Sequence, residues 1–272
     1  MVDKNVKNEK FSSDLSLSVL YASFRALCSA PRTGRVYFIH KNTGFQTIDS
    51  EKATLYFSAD SSLFIHGLGE KFDEKDSFWP EDVAWFKDKN KDEEMGSFIV
   101  DPVGQGVYKN FVTRTMQFRK FFLAEAYAVE EPTWPKLKWK IKPETKTISN
   151  IKCQKATTKF RGRNYTAWFA PSIPIQDGPW KLHGCPGLIL EAYDDTDEVV
   201  FLFAGIQFPV ETIEKKIAPF PVANVHTFEE FKNAPEIEFE KMKRRNLSAS
   251  NSASSTVITR IVSKEIELEF EN

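Results

Sequence analysis

Cysteine is scarce in this chain, and the cysteines it has are not spaced as metal ligands. Cys28, Cys153 and Cys185 form no CxxC pair and no cysteine–histidine pattern of the kind that binds zinc. In an oxidising compartment these thiols allow one disulfide, most naturally between Cys153 and Cys185. Free buried thiols are an equally open alternative.

Long apolar runs are also missing. No stretch of about 18 apolar residues occurs, so the sequence predicts no transmembrane segment. The segment 15–30 ends in small residues, as an export signal does, but Arg25 interrupts its apolar run and Asp14 precedes it. Residues 1–33 are therefore either a degenerate export signal or an ordinary N-terminal arm.

Neither sign of charge is in excess, because the chain has 37 Lys and Arg residues and 38 Asp and Glu residues, which gives a formal net charge of −1. A chain balanced in this way has no general attraction to nucleic acid or to anionic membrane surfaces. We therefore expect no nucleic-acid partner.

The common catalytic motifs are missing as well. The four histidines, His40, His66, His183 and His226, show no HExxH spacing, and the chain has no GxSxG, P-loop or dinucleotide-binding motif. The sequence thus predicts no metal site, no cofactor and no catalytic residues of these kinds. One enzyme alternative stays open, because His183 lies two residues before Cys185 and could act as the base for a cysteine nucleophile.

Aromatic residues are abundant: they make up 14% of the chain and include 24 phenylalanines, which favours β structure. From residue 34 onward, short apolar runs alternate with turns, and hairpins are predicted across residues 60–62 and around Gly162. The strand pair 188–193 and 199–203 is joined by DDTDE, which lacks the glycine and spacing of a calcium loop and is interpreted as a hairpin tip. We predict a mainly β fold, a single curved antiparallel sheet or partly closed barrel of about ten strands, with short C-terminal helices.

Two further segments carry local signals. The segment 134–141 alternates apolar residues with lysines and follows prolines, which predicts a strand at the edge of the sheet.

Near the C-terminus, Thr227 and Glu230 form a capping box, and Pro235 is expected to divide the following helix into two short ones. The Ser/Asn-rich text from residue 246 predicts a flexible linker and tail over residues 246–272.

The densest turn signals lie at residues 178–187, with Gly178, Pro179, Gly184, Pro186 and Gly187. Glycine and proline set special backbone angles and do not transfer protons, so this stretch is interpreted as architectural. A proline-containing loop after residue 170 connects the predicted strands upstream with this stretch.

The segment 148–194 resembles the signature of the GLPGLI family, exported proteins of the Bacteroidota whose biochemical role is unassigned. The matching elements occur in the family's order: Cys153, Lys155-Ala156-Thr157, Ala167-Trp168, Ile173-Pro174, Gly178-Pro179, and the hallmark Gly184-Cys185-Pro186-Gly187-Leu188-Ile189. Cys185 replaces the leucine of the hallmark and leaves its turn residues intact. The resemblance implies a GLPGLI-like β domain over roughly residues 34–245, in the periplasm or at the outer membrane, and supplies no catalytic residues.

A curved aromatic sheet that ends in a rigid Gly/Pro loop is typical of a protein that encloses an apolar or extended ligand. We therefore expect a non-enzymatic binding or carrier protein for a peptide or lipid-like ligand, or one that supports an outer-membrane transporter and contacts an outer-membrane protein. The candidate ligand-binding residues are Trp168, Phe169, Trp180 and His183. A structural protein that pairs through an edge strand is the alternative, and a cysteine-dependent hydrolase is a third.

Overall fold

The strand-rich sequence forms one large sheet in the computed structural model, which describes residues 33–42, 51–66, 103–122, 125–211, 213, 215–221 and 225–249. The N-terminal arm apart from Thr33, Cys28 and the tail from residue 250 lie outside the described residues. The elements are β1 (Gly34–Asn42), β2 (Glu51–Phe57), β3 (Ser61–His66), β4 (Gln105–Asn110), β5 (Thr115–Phe122), β6 (Glu125–Glu130), β7 (Lys140–Ile148), β8 (Ile151–Phe160), β9 (Arg163–Ala170), β10 (Leu188–Asp194), β11 (Val199–Gln207), β12 (Val225–His226) and the helix α1 (Phe228–Ala249).

The described strands lie side by side in the order β12-β6-β5-β4-β3-β2-β1-β11-β10-β9-β8-β7. Neighbouring strands are antiparallel except β12 and β6, which are parallel. The mainly β prediction is therefore confirmed, but within the described ranges the sheet is mixed, has twelve strands where about ten were expected, and does not close into a barrel. Short β12 was missed because two residues carry no strand pattern.

The predicted hairpins form where the turn residues lie. Between β8 and β9, Arg161 and Gly162 have φ angles of 49° and 81°, and a type I′ turn requires positive φ at both of these positions. Between β2 and β3, the backbone N–H of Ser61 donates to Ser58 Oγ at 3.1 Å. The acidic DDTDE segment likewise joins β10 to β11.

The middle of the sheet is buried on both faces. Strands β2, β3 and β4 are buried along almost their whole length, which explains why the apolar residues 55–57 of β2 and 63–65 of β3 follow one another without alternation. One face carries the main core, to which all strands from β1 to β11 and the helix α1 contribute. On the other face, Leu63, Ile65 and Tyr108 pack against Phe220 from the segment 215–221.

Helix α1 begins at the predicted capping box. The backbone N–H of Thr227 donates to Glu230 Oε2 at 2.7 Å, and that of Glu230 donates to Thr227 Oγ1 at 3.1 Å. The expectation of two short helices is wrong, because α1 continues through Pro235 and includes residues 246–249 of the predicted linker. Packing on the sheet, with the Phe231 and Phe118 rings 4.7 Å apart, offsets the missing proline N–H. No helix within the described ranges is both long and apolar enough to cross a membrane.

The predicted edge strand starts later than its sequence pattern suggests. Residues 134–139 are irregular, and β7 begins at Lys140. The reason is that both tryptophans are held by a loop: Trp139 Nε1 donates to His183 O at 2.7 Å, and the Trp134 ring lies 4.6 Å from the His183 ring.

Buried charges join distant parts of the sheet. Glu131 follows β6, and Arg161 lies in the β8–β9 turn, at least eight strands away in the sheet order. A flat sheet would separate them by about 40 Å, yet Arg161 Nη2 lies 2.9 Å from Glu131 Oε2. Lys181 binds the other carboxylate oxygen. The sheet must therefore curl strongly, and we call Glu131, Arg161 and Lys181 the seam cluster.

Candidate functional site

The stretch with the dense turn signals forms a long loop between β9 and β10, residues 171–187, which we call the motif loop. Its own backbone hydrogen bonds fix its shape: Gly184 N to Gln176 O (2.9 Å), Leu188 N to Ile173 O (3.0 Å) and Ile189 N to Asp177 O (2.9 Å). These bonds satisfy backbone groups that a long loop would otherwise leave unpaired. The loop can therefore hold its side chains in fixed positions.

Two glycines of the motif loop are needed for different reasons. Gly187 has φ 153°, and a Cβ there would lie 2.2 Å from the carbonyl oxygen of Ala170, so no larger residue fits. Gly184 has φ 87°, which side chains disfavour, but nothing lies within 4 Å of its Cβ position.

A buried ion pair fastens the motif loop to the opposite part of the sheet. Lys109 of β4 donates to Asp177 Oδ1 at 2.5 Å and to Gly178 O at 2.8 Å, and both charged side chains are fully buried. Burial lowers the pKa of Lys109, and the adjacent Asp177 carboxylate counteracts this. The pair fixes the position of the loop across the face of the sheet.

A pocket of about 180 Å³ opens where the motif loop meets two hairpin turns. We call it the motif pocket. Its walls come from the β2–β3 turn, the β4–β5 turn, Trp134 and the motif loop, and the lining residues are Ser58, Ala59, Phe111, Arg114, Trp134, Pro174, Ile175, Gln176, His183 and Gly184. Of this set, the sequence analysis named His183 as a ligand-binding residue and Gly184 as part of the family motif, and it did not connect the two hairpin turns, which lie 60 or more residues upstream, with them.

Aromatic rings and one cation line a wall of the motif pocket. The Trp134 ring lies 4.6 Å from the His183 ring and 6.1 Å from the Phe111 ring. The guanidinium carbon of Arg114, an exposed residue, lies 5.5 Å from the centre of the Trp134 ring. A guanidinium stacked on an aromatic face can bind an anion while the rings contact an attached apolar group.

His183 contributes to the motif pocket as a neutral ring. Its Nδ1 donates to Lys181 O at 2.8 Å. Burial, and then the nearby Lys109 charge, lower the pKa of His183 to about 4. At neutral pH the ring is uncharged, so positive charge in the motif pocket comes from Arg114.

The other predicted ligand-binding residues lie elsewhere. Phe169 is fully buried in the main core, and Trp180 is almost fully buried there too. Trp168 points to the opposite face of β9 from Phe169, where Lys146 Nζ lies 4.7 Å from its ring centre. These three aromatic residues pack the sheet and do not line the motif pocket with His183.

Cys153 and Cys185 are both free and buried, so the structure contains no disulfide between them. Burial, with a contribution from Glu191, raises the pKa of Cys153 to about 11, and burial also raises the pKa of Cys185. A thiol with a raised pKa holds little thiolate at neutral pH. These properties do not favour Cys185 as a nucleophile.

In the acidic hairpin tip, the carboxylate of Asp194 is hydrogen-bonded by other groups of the protein. Asp194 Oδ2 accepts hydrogen bonds from Arg163 Nη1 and Thr196 Oγ1, each at 2.6 Å, and its Oδ1 accepts from the Val199 backbone at 2.9 Å. Burial alone would raise the pKa of Asp194, but the hydrogen bonds and the Arg163 charge lower it. The protein's own groups thus neutralise this carboxylate, in agreement with a hairpin tip.

Residues able to hold a metal ion come together in a different place, where β1, β2 and β3 lie side by side. His40, Glu51 and His66 each offer one ligand atom, and these atoms lie within 4.8 Å of one another. The sequence analysis predicted no metal site because these residues have no local spacing. Only the register of three strands brings them together.

Residues 161–191 match the model of a family described as "Protein of unknown function (Porph_ging)". The match covers the β8–β9 turn, β9 and the motif loop, and it supports a Bacteroidota-type family. A search among curated proteins finds no match.

Two solved structures of PNGF-II are similar to this chain. The structure in the C2 space group gives a TM-score of 0.49 at 16% identity and covers 77% of this chain and 33% of PNGF-II. The structure in the P21 space group gives a TM-score of 0.47 at 14% identity and covers 74% of this chain and 32% of PNGF-II. This chain therefore spans about a third of the length of PNGF-II.

Proposed function

We propose that this chain is a non-enzymatic binding or carrier protein of the cell envelope, of the GLPGLI type, and that its ligand site is the motif pocket. The envelope location and the family rest on the ordered GLPGLI-like signature, whose relatives are exported. The binding role rests on one observation, the pocket in which Arg114 and Trp134 face His183 and Gly184.

The size of the motif pocket restricts its ligand. A volume of about 180 Å³ is below the roughly 300–1,000 Å³ of pockets that enclose a whole ligand. The pocket therefore takes one residue or one head group of a longer molecule. The rest of that molecule would lie outside the pocket.

The lining of the motif pocket specifies the chemistry of that group. Arg114 supplies a positive charge, and Phe111, Trp134 and Ile175 supply apolar surface. This combination suits a carboxylate attached to an apolar body. The C-terminal residue of a peptide and a fatty acid share that chemistry, so both belong in the test.

The test is isothermal titration calorimetry of the full chain with three probes. They are a tetrapeptide that ends in leucine with a free carboxylate, the same peptide with a C-terminal amide, and decanoate. We expect the free acid to bind at least tenfold more tightly than the amide. Arg114→Gln should weaken acid binding at least tenfold, whereas Lys140→Gln, which removes an exposed charge on β7, should leave it unchanged.

The outcomes separate the two sources of carboxylate. Saturable binding of decanoate but not of the peptides would identify a lipid-like ligand, and the reverse would identify a peptide. If neither acid binds, or if Arg114→Gln and Lys140→Gln behave alike, the motif pocket is not the ligand site and the proposal fails.

An interaction role through an edge strand is the second candidate, favoured by β7. This strand pairs with β8 on one side, is at the end of the described sheet, and leaves Ile141 44% exposed. Pro143 and the register shift between Ile141 and Thr145 limit pairing to short segments. A partner that pairs here should lose affinity with Thr147→Pro, which removes a backbone donor from the edge, and unchanged affinity would count against this role.

A further inference from the structure

Two of the four histidines lie together in the described sheet, with one carboxylate between them. His40 of β1 is directly opposite Glu51 of β2, and His66 of β3 is opposite Ala53, two residues further along β2. Residues two apart on a strand share a face, and so do directly opposite residues on neighbouring strands. The register of three strands therefore places His40, Glu51 and His66 on one face of the sheet.

The two imidazoles point at the same atom. His40 Nδ1 and His66 Nδ1 each lie 2.7 Å from Glu51 Oε1. The rings are perpendicular to one another, with their centres 5.1 Å apart. Two nitrogen lone-pair directions thus converge on one point, at which a carboxylate oxygen is also present.

Apolar residues surround this group on its inner side. The His40 ring stacks on Phe201 at 4.7 Å with an interplanar angle of 11°, and Phe64 lies 5.8 Å from the His66 ring. His40 is fully buried, whereas the side chains of His66 and Glu51 are 14% and 25% exposed. The group is therefore closed towards the core and open towards solvent.

We propose that His40, Glu51 and His66 form a binding site for a divalent transition-metal ion such as Zn²⁺. The ion would be bound by His40 Nδ1, His66 Nδ1 and a carboxylate oxygen of Glu51, with water in the remaining positions. Imidazole and carboxylate ligands in this ratio suit zinc, cobalt, nickel and iron rather than calcium or magnesium, which take oxygen ligands.

The two nitrogen–oxygen distances are close to those around such an ion, whereas the two Nδ1 atoms, which lie within 4.8 Å of one another, have to lie within about 3.4 Å to bind it together. With bonds of about 2.1 Å, neighbouring ligand atoms lie about 3.0 Å apart at right angles and about 3.4 Å apart in a tetrahedron. The observed nitrogen–oxygen distances of 2.7 Å are closer to the first arrangement. Glu51 is the first residue of β2 and is partly exposed, so a change of side-chain torsion can move its carboxylate back to admit the ion.

The surroundings of His40 Nε2 limit the affinity of the proposed site for a metal ion. When Nδ1 of His40 binds the ion, the ring proton resides on Nε2, which is buried and has no hydrogen-bond partner within the part of the chain that the structure describes. Histidines that bind metals usually donate this second N–H to an acceptor. We therefore expect an affinity below that of structural zinc sites, in which all ligands are fully supported.

The competing arrangement is a metal-free triad in which two imidazoles donate to one carboxylate. Isothermal titration calorimetry of the tag-free, chelator-treated full chain with Zn²⁺ distinguishes the two. The electronic spectrum with Co²⁺ gives a second readout, because the intensity of its d–d bands reports the coordination number of the bound ion. Metal binding predicts one saturable ion per chain, a higher Tm with added Zn²⁺, and no saturable binding of Mg²⁺.

The informative variants are His66→Gln and Glu51→Gln, because His40 is fully buried and its replacement threatens folding. Glu51→Gln keeps an oxygen that accepts the two hydrogen bonds but is a poor metal ligand. We expect each variant to weaken Zn²⁺ binding at least tenfold while the metal-free Tm of Glu51→Gln changes little. His226→Gln, on strand β12, is the matched control and should bind Zn²⁺ as the unmodified chain does.

The proposal is overturned if no one-to-one binding is seen. It is equally overturned if binding persists in both Glu51→Gln and His66→Gln, or if His226→Gln lowers it as much as they do. This inference is independent of the motif pocket, so a failure of either leaves the other standing.

Discussion

Arg161 Nη2 lies 2.9 Å from Glu131 Oε2, although the strands beside these residues are at least eight places apart in the sheet. Lys181 of the motif loop binds the same carboxylate. All three side chains are almost completely buried. Glu131 thus balances two buried cations and joins the curled sheet to the motif loop.

Replacing Glu131 with glutamine should destabilise the protein strongly. The amide keeps the volume of the side chain but removes the buried negative charge that Arg161 and Lys181 both bind, a loss of about 3–5 kcal/mol. Glu144→Gln is the control, since Glu144 is 54% exposed and lies 3.9 Å from Lys155; its cost should be below about 1 kcal/mol. Urea unfolding measures the loss of stability in both variants. Equal losses would show that the buried seam cluster stabilises the protein no more than an exposed ion pair does.

The buried pair Lys109–Asp177 should behave non-additively. Lys109→Met leaves a buried carboxylate unpaired, and Asp177→Asn leaves a buried ammonium group without its counter-charge, so each single change should cost about 3–5 kcal/mol. The double variant removes both charges and should cost less than the sum by about 1–3 kcal/mol. A double-mutant cycle in urea measures this coupling. Strict additivity would mean that the pair does not fasten the motif loop.

The glycines of the motif loop should differ in their tolerance of alanine. Gly187→Ala places a methyl group 2.2 Å from the Ala170 carbonyl oxygen and should cost about 3 kcal/mol or more. Gly184→Ala meets no neighbour within 4 Å and should cost only the strain of its positive φ, about 1–2 kcal/mol. Thermal unfolding of the two variants should therefore show a clearly lower Tm for Gly187→Ala. A reversed order would contradict the backbone geometry described above.

His183 should make the protein less stable in acid. Its pKa is lowered to about 4 by burial and by Lys109, whereas an unfolded chain takes up the proton near its ordinary value of about 6.5. The contribution of the neutral His183 ring to the free energy of unfolding is therefore fully present above pH 6.5 and is lost as the pH falls towards 4. It amounts to at most about 3 kcal/mol.

The measurement is the free energy of unfolding in urea between pH 7.5 and 4 for the unmodified chain and for His183→Gln. The difference between the two should shrink as the pH falls through this window. His226→Gln serves as the control for removal of an unrelated histidine. A difference that does not vary with pH would mean that His183 titrates as it does in the unfolded chain.

Local signals in the sequence were sufficient for the elements that depend on neighbouring residues. The Arg161-Gly162 turn, the Thr227–Glu230 capping box and the strand-rich middle of the chain were all predicted, because turn angles and caps involve residues a few positions apart. Local rules also failed where packing was decisive. Pro235 does not end α1, since the helix gains more from packing on β5 and β6 than it loses at one proline.

The sequence analysis anticipated only part of the lining of the motif pocket, the site that we propose. The motif loop was located from its glycines and prolines, and His183 does line the motif pocket. Its other wall comes from turns far upstream, at Ser58 and Arg114, and no sequence pattern connects these with the motif loop. Phe169 and Trp180 were indistinguishable in sequence from ligand-binding aromatic residues, and their burial in the core follows from the packing of the whole sheet.

By itself, the sequence determined the β character, the hairpins and the position of the rigid Gly/Pro loop, because these depend on local backbone preferences and on the alternation of side chains. Only the tertiary structure decided that Arg161 reaches Glu131, that Lys109 reaches Asp177, and that His40, Glu51 and His66 share one point. The physical reason is that register and curvature are properties of the assembled sheet. They are set by the combined packing of many strands, so side chains distant in sequence become neighbours without any short-range signal.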